Sequence, residues 1–505
     1  MKNSDRAAKP DQSVLEIGGR LKSPPADSMV NSAFASELDR QDCLFSAMGL
    51  ADMAYTVTGI NTGTIPAREG GELLSKLLAL YSGPDSYSPR AEAGDLYTNR
   101  EAWLEAETPT SGWLGAGRAR REATTTAFLV LQRQQLLELL ASLTGFGLAL
   151  NQRAGEYSQV CMPDYTYLQA AQPTTFGHYL AGFLYPLIRD CERIEQLYCR
   201  VNSSPMGCGS TTGSRLAVDR QQMARLLGFD AVTIHTRDAM WQPDLPIETA
   251  AVLCAVAVNL SRLAEDLQIF SSREFALVEL ADQHARSSKI MPQKKNPFAL
   301  THIRSMSNEM MGLMTSVTAM ARTPSGQPDN RLWIYGALPD AVSGMVSGVH
   351  LFTDVIRSVE FKRARGMQLL GDASLMATDL AETLVLDGNM DYRSAYRLAT
   401  KLVDEYEDKG GIGKLNSSVL KQTAAAFLGR EVSIEEEAIR RALDPRQSIE
   451  THTEPGTPTK SSMSKMLADC RHRLSRYGNI AGDGMEQLRR VERQLLDRVR
   501  ELGAG

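Results

Sequence analysis

The stretch Asp282–Phe298 reads Asp-Gln-His-Ala-Arg-Ser-Ser-Lys-Ile-Met-Pro-Gln-Lys-Lys-Asn-Pro-Phe. It is polar, it contains two prolines, and it lies between two long segments whose apolar residues recur at helical spacing. Such a stretch cannot bury itself, so we predict an exposed loop. Asn296 followed by Pro297 predicts a helix that is capped by the asparagine and begins at the proline.

The end of this loop has the features of an anion site. The first N–H groups of the predicted helix and the positive end of its dipole would face the loop, and Lys294 and Lys295 lie just upstream. Ser287 and Ser288 are on the same loop, and a hydroxyl beside fixed positive charge loses its proton more readily. The alternative is a solvated basic loop that merely joins two helices.

Composition sets the broad class. The chain has 505 residues, 43% hydrophobic and 23% charged, which predicts a soluble globular protein. A net charge of −5 gives no basic field, so we expect neither nucleic acid nor membrane as a partner. Seven scattered cysteines, a polar start and the lack of an apolar run of membrane-spanning length favour a cytoplasmic protein.

Hydrophobic periodicity predicts an all-α architecture. A Leu-rich amphipathic segment over Ala123–Ala154 exceeds the usual helix length, and strand patterns are weak throughout. Such length predicts a large helix bundle or an oligomer core. The other long helices are predicted over Phe176–Val201, Ile247–Phe275, Pro297–Arg322, Ala337–Glu360 and Lys460–Leu502.

A second polar stretch, Thr108–Glu122, is Gly-rich and ends in three arginines within four residues, Arg118, Arg120 and Arg121. Guanidinium groups at a helix entrance suit carboxylates or phosphates, because each can pair two oxygens at once. Taken alone, a surface basic cluster explains the pattern equally well.

Three stretches together resemble the argininosuccinate lyase branch of the fumarase/aspartase superfamily. Ser288–Pro297 is similar to the signature loop of that superfamily, and Met162–His178 resembles the second signature loop of the branch, with its Met-Pro-x-Tyr-Thr-x-Leu-Gln core. Ser111–Glu122 falls on the first loop. The resemblance extends over most of residues 15 to 410.

The resemblance implies an all-α fold of three domains around long helices, with a 20-helix core in a homotetramer. We accordingly predict an N-terminal helical domain over 1–122, a central bundle over 123–360 and a small C-terminal helical domain over 361–505. It further implies active sites shared between subunits, a small dicarboxylate substrate of the succinyl type, fumarate as the usual product, and no metal or organic cofactor.

Residue roles follow from the resemblance, position by position. Ser288 falls on the family's catalytic base, and Lys294 and Asn296 would stabilise the doubly negative intermediate that forms when a proton beside a carboxylate is removed. Arg120 and Thr166 would hold substrate. The remaining candidate site residues are Arg118, Arg121, Gln169, Ser287, Lys289, Met291 and, in a catalytic role, Tyr167.

The departures from the family pattern bear on the substrate. Tyr167 stands where the family has a histidine, and tyrosine is a poor base at pH 7. Arg121 adds a cation, which suggests an added negative group. Ser325–Asn330 and Arg331–Gly336 lack the polar set that recognises argininosuccinate and bring in Trp333. His284 is expected on the loop surface.

We therefore expect elimination from a substituted succinate or aspartate adduct, giving fumarate and an amine or other small nitrogen leaving group, with argininosuccinate itself disfavoured. Two alternatives stay open: a true argininosuccinate lyase, and a non-catalytic structural descendant comparable to the lens crystallins of this family.

Overall fold

The computed structural model describes residues 23–240, 242–323, 331–406 and 411–504. The polar start of the chain and the turn over 325–330 lie outside these residues. Helices take up 71% of the structure, which confirms the predicted all-α class. The α-helices are α1 (Asp27–Met29), α2 (Ala35–Gln41), α3 (Phe45–Asn61), α4 (Ala67–Tyr81), α5 (Leu96–Glu107), α6 (Arg120–Glu156), α7 (Phe176–Ala181), α8 (Leu184–Val201), α9 (Arg220–Leu226), α10 (Thr236–Met240), α11 (Asp244–Phe270), α12 (Phe298–Ala321), α13 (Ile334–Ser358), α14 (Arg363–Leu369), α15 (Ala377–Leu386), α16 (Tyr392–Tyr406), α17 (Ser417–Leu428), α18 (Glu436–Leu443), α19 (Pro445–Thr451) and α20 (Lys460–Gly503).

The strands form short two-stranded ladders. Their bounds are β1 (Cys161–Thr166), β2 (Gln169–Thr175), β3 (Ser203–Ser204), β4 (Ala231–Val232), β5 (Val278–Glu279), β6 (Arg286–Ser287), β7 (Lys295–Asn296) and β8 (Glu360–Phe361). The pairs β1–β2, β5–β8 and β6–β7 are antiparallel, and β3–β4 is parallel. Two of the pairs, β1–β2 and β6–β7, shape stretches that were predicted only as loops.

Long helices pack side by side around α6, whose 37 residues are buried along most of their length. α6 packs against α3, α8, α13 and α20, and α11 pairs with α12. At about 1.5 Å per residue, α6 is about 55 Å long. It therefore separates the chain segment before Arg120 from the segment after Glu156 by the full length of the bundle.

The predicted helix over Phe176–Val201 is wrong in one respect, because it is two helices. α7 ends at Ala181 and α8 starts at Leu184. Pro186 lies in the first turn of α8. It has no N–H to donate to the carbonyl of Gly182, and its ring would crowd that carbonyl in a continuous helix.

The hydrophobic interior has two main clusters. The first runs through α3, α4, α6, α8, α11, α12 and α13 and includes Met463, Leu474 and Leu495 of α20. The second is built from residues between Ala373 and Ile439. The predicted domain limits at 122/123 and 360/361 remain predictions, but α20, which they assign to the C-terminal domain, packs with the first cluster.

Two helical segments, Asp27–Asn61 and Asp244–Phe270, are long and apolar enough to cross a membrane by length and composition alone. The expectation that no apolar run reaches that length was therefore wrong. Their most apolar windows are 72% and 50% buried inside the protein. Core helices of water-soluble proteins give the same signal, so this feature is weak evidence for a membrane span.

Candidate active site

The signature loop is closed by the short ladder β6–β7, in which Ser287 pairs with Lys295. Inside this closure, the Oγ of Ser288 accepts hydrogen bonds from the main-chain N–H of Met291 at 3.1 Å and of Ile290 at 3.4 Å. N–H donors on a hydroxyl oxygen favour its deprotonated form. The loop thus places Ser288 in a setting that suits a general base.

The two lysines of the loop differ in their surroundings. Lys295 pairs with Asp282 at 2.7 Å and with Glu279 at 3.5 Å. The hydrogen bond that Lys295 donates to Asp282 is the main cause that raises its pKa. Lys294 is exposed and has no salt-bridge partner within the described part of the chain. Lys294 is therefore the cation of this pair that remains available to an anion, and Lys289 is exposed on the same loop.

The predicted helix start is shifted by one residue. The first helical residue of α12 is Phe298, and Pro297 is its N-cap. The side-chain amide of Asn296 donates to the carbonyl of Arg286 at 3.0 Å instead of capping the helix. Asn296 therefore fixes the width of the loop.

The second loop is a β-hairpin with a two-residue turn. Thr166 pairs with Gln169, and the two residues between them, Tyr167 and Leu168, have φ values of 55° and 60°. Two consecutive positive φ values fit the type I′ turn, which usually takes Asn or Gly. Tyr167 is 99% exposed and Leu168 56% exposed, so an aromatic and an aliphatic side chain project from the tip into solvent.

The first loop leads into α6, and its three arginines have different environments. The side chain of Arg118 is fully buried, pairs with Asp52 at 2.7 Å, and stacks over Tyr55 with its guanidinium carbon 5.0 Å from the ring centre. The side chain of Arg121 is largely buried and pairs with Glu37 at 3.2 Å. Glu37 already offsets this charge, so the pairing does not support the idea that Arg121 binds an added negative group of the substrate.

Arg120 is the most accessible of the three. Its side chain is 36% exposed, and its Nε lies 3.4 Å from Asp95. Asp95 also caps α5 by accepting the N–H of Thr98 at 2.9 Å. Arg120 is thus held at the start of α6 with part of its guanidinium at the surface, where it can meet a ligand.

Sequence reasoning missed Glu122, which anchors a neighbouring Gly-rich segment. Its two carboxylate oxygens accept the main-chain N–H groups of Gly207 and Gly209 at 2.8 and 2.6 Å. Burial is the main cause that raises the pKa of Glu122, although these bonds and Arg118 oppose it. The pairing of a buried acid with Gly-Cys-Gly, 85 residues away, leaves no local sequence signal.

Two histidines have structural surroundings. His284 was expected at the surface, but it is only 9% exposed and its Nδ1 lies 3.1 Å from the Oγ of Ser358. The ring nitrogens of His178 lie 3.1 Å from Thr174 and 2.9 Å from the carbonyl of Gly456.

The stretch over 331–336, where the family's polar set is replaced, contains two aromatic residues with different surroundings. Tyr335 is buried and forms a hydrogen bond with Thr125, whereas Trp333 is only partly buried.

The second loop and the signature loop lie at the same end of the bundle. Tyr165 of the hairpin contacts Phe275, with ring centres 5.3 Å apart, and the signature loop is tied to β5 through Glu279. The first loop precedes α6 and so lies at the opposite end, about 55 Å away. One chain therefore cannot bring all three loops together.

Comparison with known proteins decides the family. Residues 95–312 match the model of a lyase family, and residues 374–450 match the model of the argininosuccinate lyase C-terminal region. The chain belongs to the fumarase/aspartase superfamily. It is an argininosuccinate lyase-like member of that superfamily and a lyase.

Relatives in this superfamily match most of the chain. The argininosuccinate lyase of Methanococcoides burtonii is 29% identical, over 92% of this chain and 94% of its own length. The argininosuccinate lyase of Methanocaldococcus jannaschii is 26% identical, over 95% of this chain and 98% of its own length. An EDDS lyase variant with bound fumarate superposes with a TM-score of 0.85 at 25% identity, covering 98% of this chain and 99% of its own. A class II fumarase from Schistosoma mansoni shares the fold, with a TM-score of 0.68 at 16% identity, covering 81% of this chain and 91% of its own.

Proposed function

We propose that this protein is a carbon–nitrogen lyase that eliminates an amine, or another small nitrogen leaving group, from a substituted succinate and releases fumarate. The observation that carries the proposal is the environment of Ser288, whose hydroxyl oxygen accepts two main-chain N–H groups on an exposed loop. Ser288 acts as the base that removes the proton next to one carboxylate. The leaving group departs from the neighbouring carbon.

Removal of this proton needs positive charge that is already in place. The C–H bond beside a carboxylate is a very weak acid, and its loss creates a doubly negative intermediate. Lys294, which has no salt-bridge partner among the described residues, supplies a cation. The start of α12, just after the loop, adds the positive end of a helix dipole.

The site is composite in this proposal. The first loop supplies Arg120, the hairpin supplies Thr166, Tyr167 and Gln169, and the signature loop supplies Ser288. Because α6 holds the first loop and the hairpin at opposite ends, different subunits must contribute them. A homotetramer with shared sites meets this need, and the exposed tip at Tyr167 is the part of the hairpin that would enter a neighbour's site.

Argininosuccinate is the second candidate substrate, because the named relatives at 26–29% identity are argininosuccinate lyases. We place it second because Tyr167 replaces a titratable histidine and because the polar set of 325–336 is altered. The EDDS lyase at a TM-score of 0.85 is a neighbour with a different named substrate, which supports a substrate other than argininosuccinate.

The reverse reaction tests this function. Purified protein is given fumarate with arginine, ammonia, nitrite or one of a panel of amines, and the ultraviolet absorbance of fumarate is followed. Loss of absorbance with one partner names the leaving group, and loss with arginine selects the second candidate. If no partner consumes fumarate and argininosuccinate is not cleaved, the proposed elimination of an amine to give fumarate fails.

We also propose that the protein is cytoplasmic. All seven cysteines are free thiols, including the exposed Cys43 and Cys199. Free exposed thiols are typical of a reducing compartment. Mass spectrometry of the protein isolated from cells with alkylated thiols would contradict this proposal if it found disulfides.

A further inference from the structure

Three potential ligands for a metal ion meet outside the candidate active site. Asp379 and Glu382 lie one turn apart on α15, and His452 follows the end of α19. The Nε2 of His452 is 2.8 Å from an oxygen of Asp379. One nitrogen or oxygen from each residue lies within 4.8 Å of the other two.

The second oxygen of Asp379 is the observation that points to a ligand. Asp379 is only 5% exposed, and its Oδ2 is buried with no hydrogen-bond partner among the described residues. A buried carboxylate oxygen without a partner is unfavourable, so such an atom calls for a bound species. Two carboxylates beside one imidazole select a cation.

We propose that Asp379, Glu382 and His452 bind a divalent transition-metal ion of the Zn²⁺ class. Imidazole nitrogen with carboxylate oxygen is a ligand set that such ions accept, with bonds of roughly 2.0–2.2 Å. Three ligands of a tetrahedral site are then roughly 3.3 Å apart. Binding would open the hydrogen-bonded pair of His452 and Asp379 from 2.8 Å and release its shared proton, while the exposed Glu382 closes from within 4.8 Å and water completes the shell.

The site has a structural consequence rather than a catalytic one. Asp379 and Glu382 belong to the segment that builds the second hydrophobic cluster. His452 begins the connection to α20, and its carbonyl accepts the hydroxyl of Thr457 at 2.6 Å. In the same connection, Gly456 contacts His178 below the hairpin. A metal ion would thus join the second cluster to the segment that supports the second loop.

Cobalt(II) is a suitable probe, because its spectrum reports the ligands. Metal-depleted protein is titrated with Co²⁺ by calorimetry, absorption spectra are recorded, and thermal unfolding is followed with and without the ion. We expect one ion per chain, visible d–d bands without a thiolate charge-transfer band, and a higher Tm with Co²⁺. A thiolate charge-transfer band would instead show that Co²⁺ had bound to free cysteines.

Two variants remove ligands, and one serves as control. Glu382→Gln changes an exposed side chain and leaves folding intact, so it tests the site even if His452→Gln does not fold. Each should weaken Co²⁺ affinity more than about tenfold and remove the Tm increase. His472→Gln, at an exposed position of α20, should bind as the unmodified protein does. Absence of stoichiometric binding, or equal affinity in Glu382→Gln, would overturn the proposal and leave a plain His–Asp ion pair.

Discussion

The Oγ of Ser288 accepts the main-chain N–H of Met291 at 3.1 Å. This bond links the predicted base to the backbone of its own loop, so the geometry does not depend on another side chain. The second donor, the N–H of Ile290 at 3.4 Å, comes from the same turn. The serine is thereby oriented in the isolated subunit before any neighbour or substrate is added.

Replacement of Ser288 by alanine should abolish elimination while the protein stays folded. General-base catalysis contributes about 10²–10⁴-fold, so kcat should fall by at least about 10²-fold. Ser464→Ala is the matched control, because Ser464 is exposed on α20 and lies outside the three loops. Equal rates for Ser288→Ala and the unmodified protein would remove Ser288 from the mechanism.

Arg118 and Arg120 should separate stability from substrate binding. Arg118→Met leaves buried Asp52 without one of its two arginines, and the loss of one partner of a buried ion pair costs about 3–5 kcal/mol in the free energy of unfolding. Arg120→Met removes a partly exposed charge but leaves an oxygen of buried Asp95 without its cation, so it should cost about 1–3 kcal/mol, less than Arg118→Met, and raise KM. Urea unfolding and steady-state kinetics measure both effects. A larger loss of stability in Arg120→Met than in Arg118→Met, with KM raised only in Arg118→Met, would contradict these roles.

Tyr167 should act through its hydroxyl group. Tyr167→Phe keeps the ring and removes the hydrogen-bond donor, so kcat should fall by about 10²-fold if the hydroxyl assists proton transfer. Tyr165→Phe is the control, because the Tyr165 ring packs against Phe270 and Phe275 within the subunit. Equal kinetic constants for Tyr167→Phe and the unmodified enzyme would show that the Tyr167 hydroxyl group takes no part in catalysis.

Glu101 should make the protein less stable as the pH rises through neutrality. Burial is the main cause that raises the pKa of Glu101 to about 7, from 4.5. Between pH 4.5 and about pH 7, the folded state therefore binds more protons than the unfolded state. The stabilisation that protonated Glu101 contributes is complete below pH 4.5 and is lost as the pH rises through about 7. Glu101→Gln should flatten this slope and gain at most about 3 kcal/mol at pH 8.

The control for Glu101 is Glu105→Gln, on the same helix but exposed. Chemical denaturation of the three proteins between pH 4 and pH 8 gives the slopes. A Glu101→Gln protein with the same pH dependence as the unmodified protein would show that this carboxyl group is not the cause.

Helices with strong periodicity were predictable from sequence. α6 was placed over Ala123–Ala154 and spans Arg120–Glu156, because apolar residues at helical spacing decide a buried helix. The break between α7 and α8 was missed, since Pro186 can be read as a first-turn residue only once a break at Gly182 is assumed.

The hairpin tip could not be predicted in the same way. Its turn has two residues with positive φ, yet the sequence there is Tyr167-Leu168, without the Asn or Gly that signals such a turn. The three arginines of the first loop are equivalent by spacing, but Asp52 and Glu37, which come from distant parts of the sequence, decide which guanidinium stays at the surface.

In the signature loop, the resemblance identified the serine but did not give the correct start of the following helix. The resemblance located Ser288, but the helix start moved to Phe298 because the amide of Asn296 bonds the carbonyl of Arg286 across the loop. A cap motif and a cross-loop bond use the same asparagine, and only the three-dimensional arrangement distinguishes them.

The most direct test of the shared active site combines two impaired chains, one without the base and one with weakened substrate binding, at a fumarate concentration well below the KM of the Arg120 variant. Ser288→Ala and Arg120→Ala are co-expressed with different tags, hybrid tetramers are purified, and the rate of fumarate consumption with the established amine is measured. If one subunit supplies Ser288 and another supplies Arg120, random mixing leaves about a quarter of the sites with both residues, and activity returns to about that level. Hybrids no more active than either parent would contradict the account, because they would place both residues in a site built from one chain.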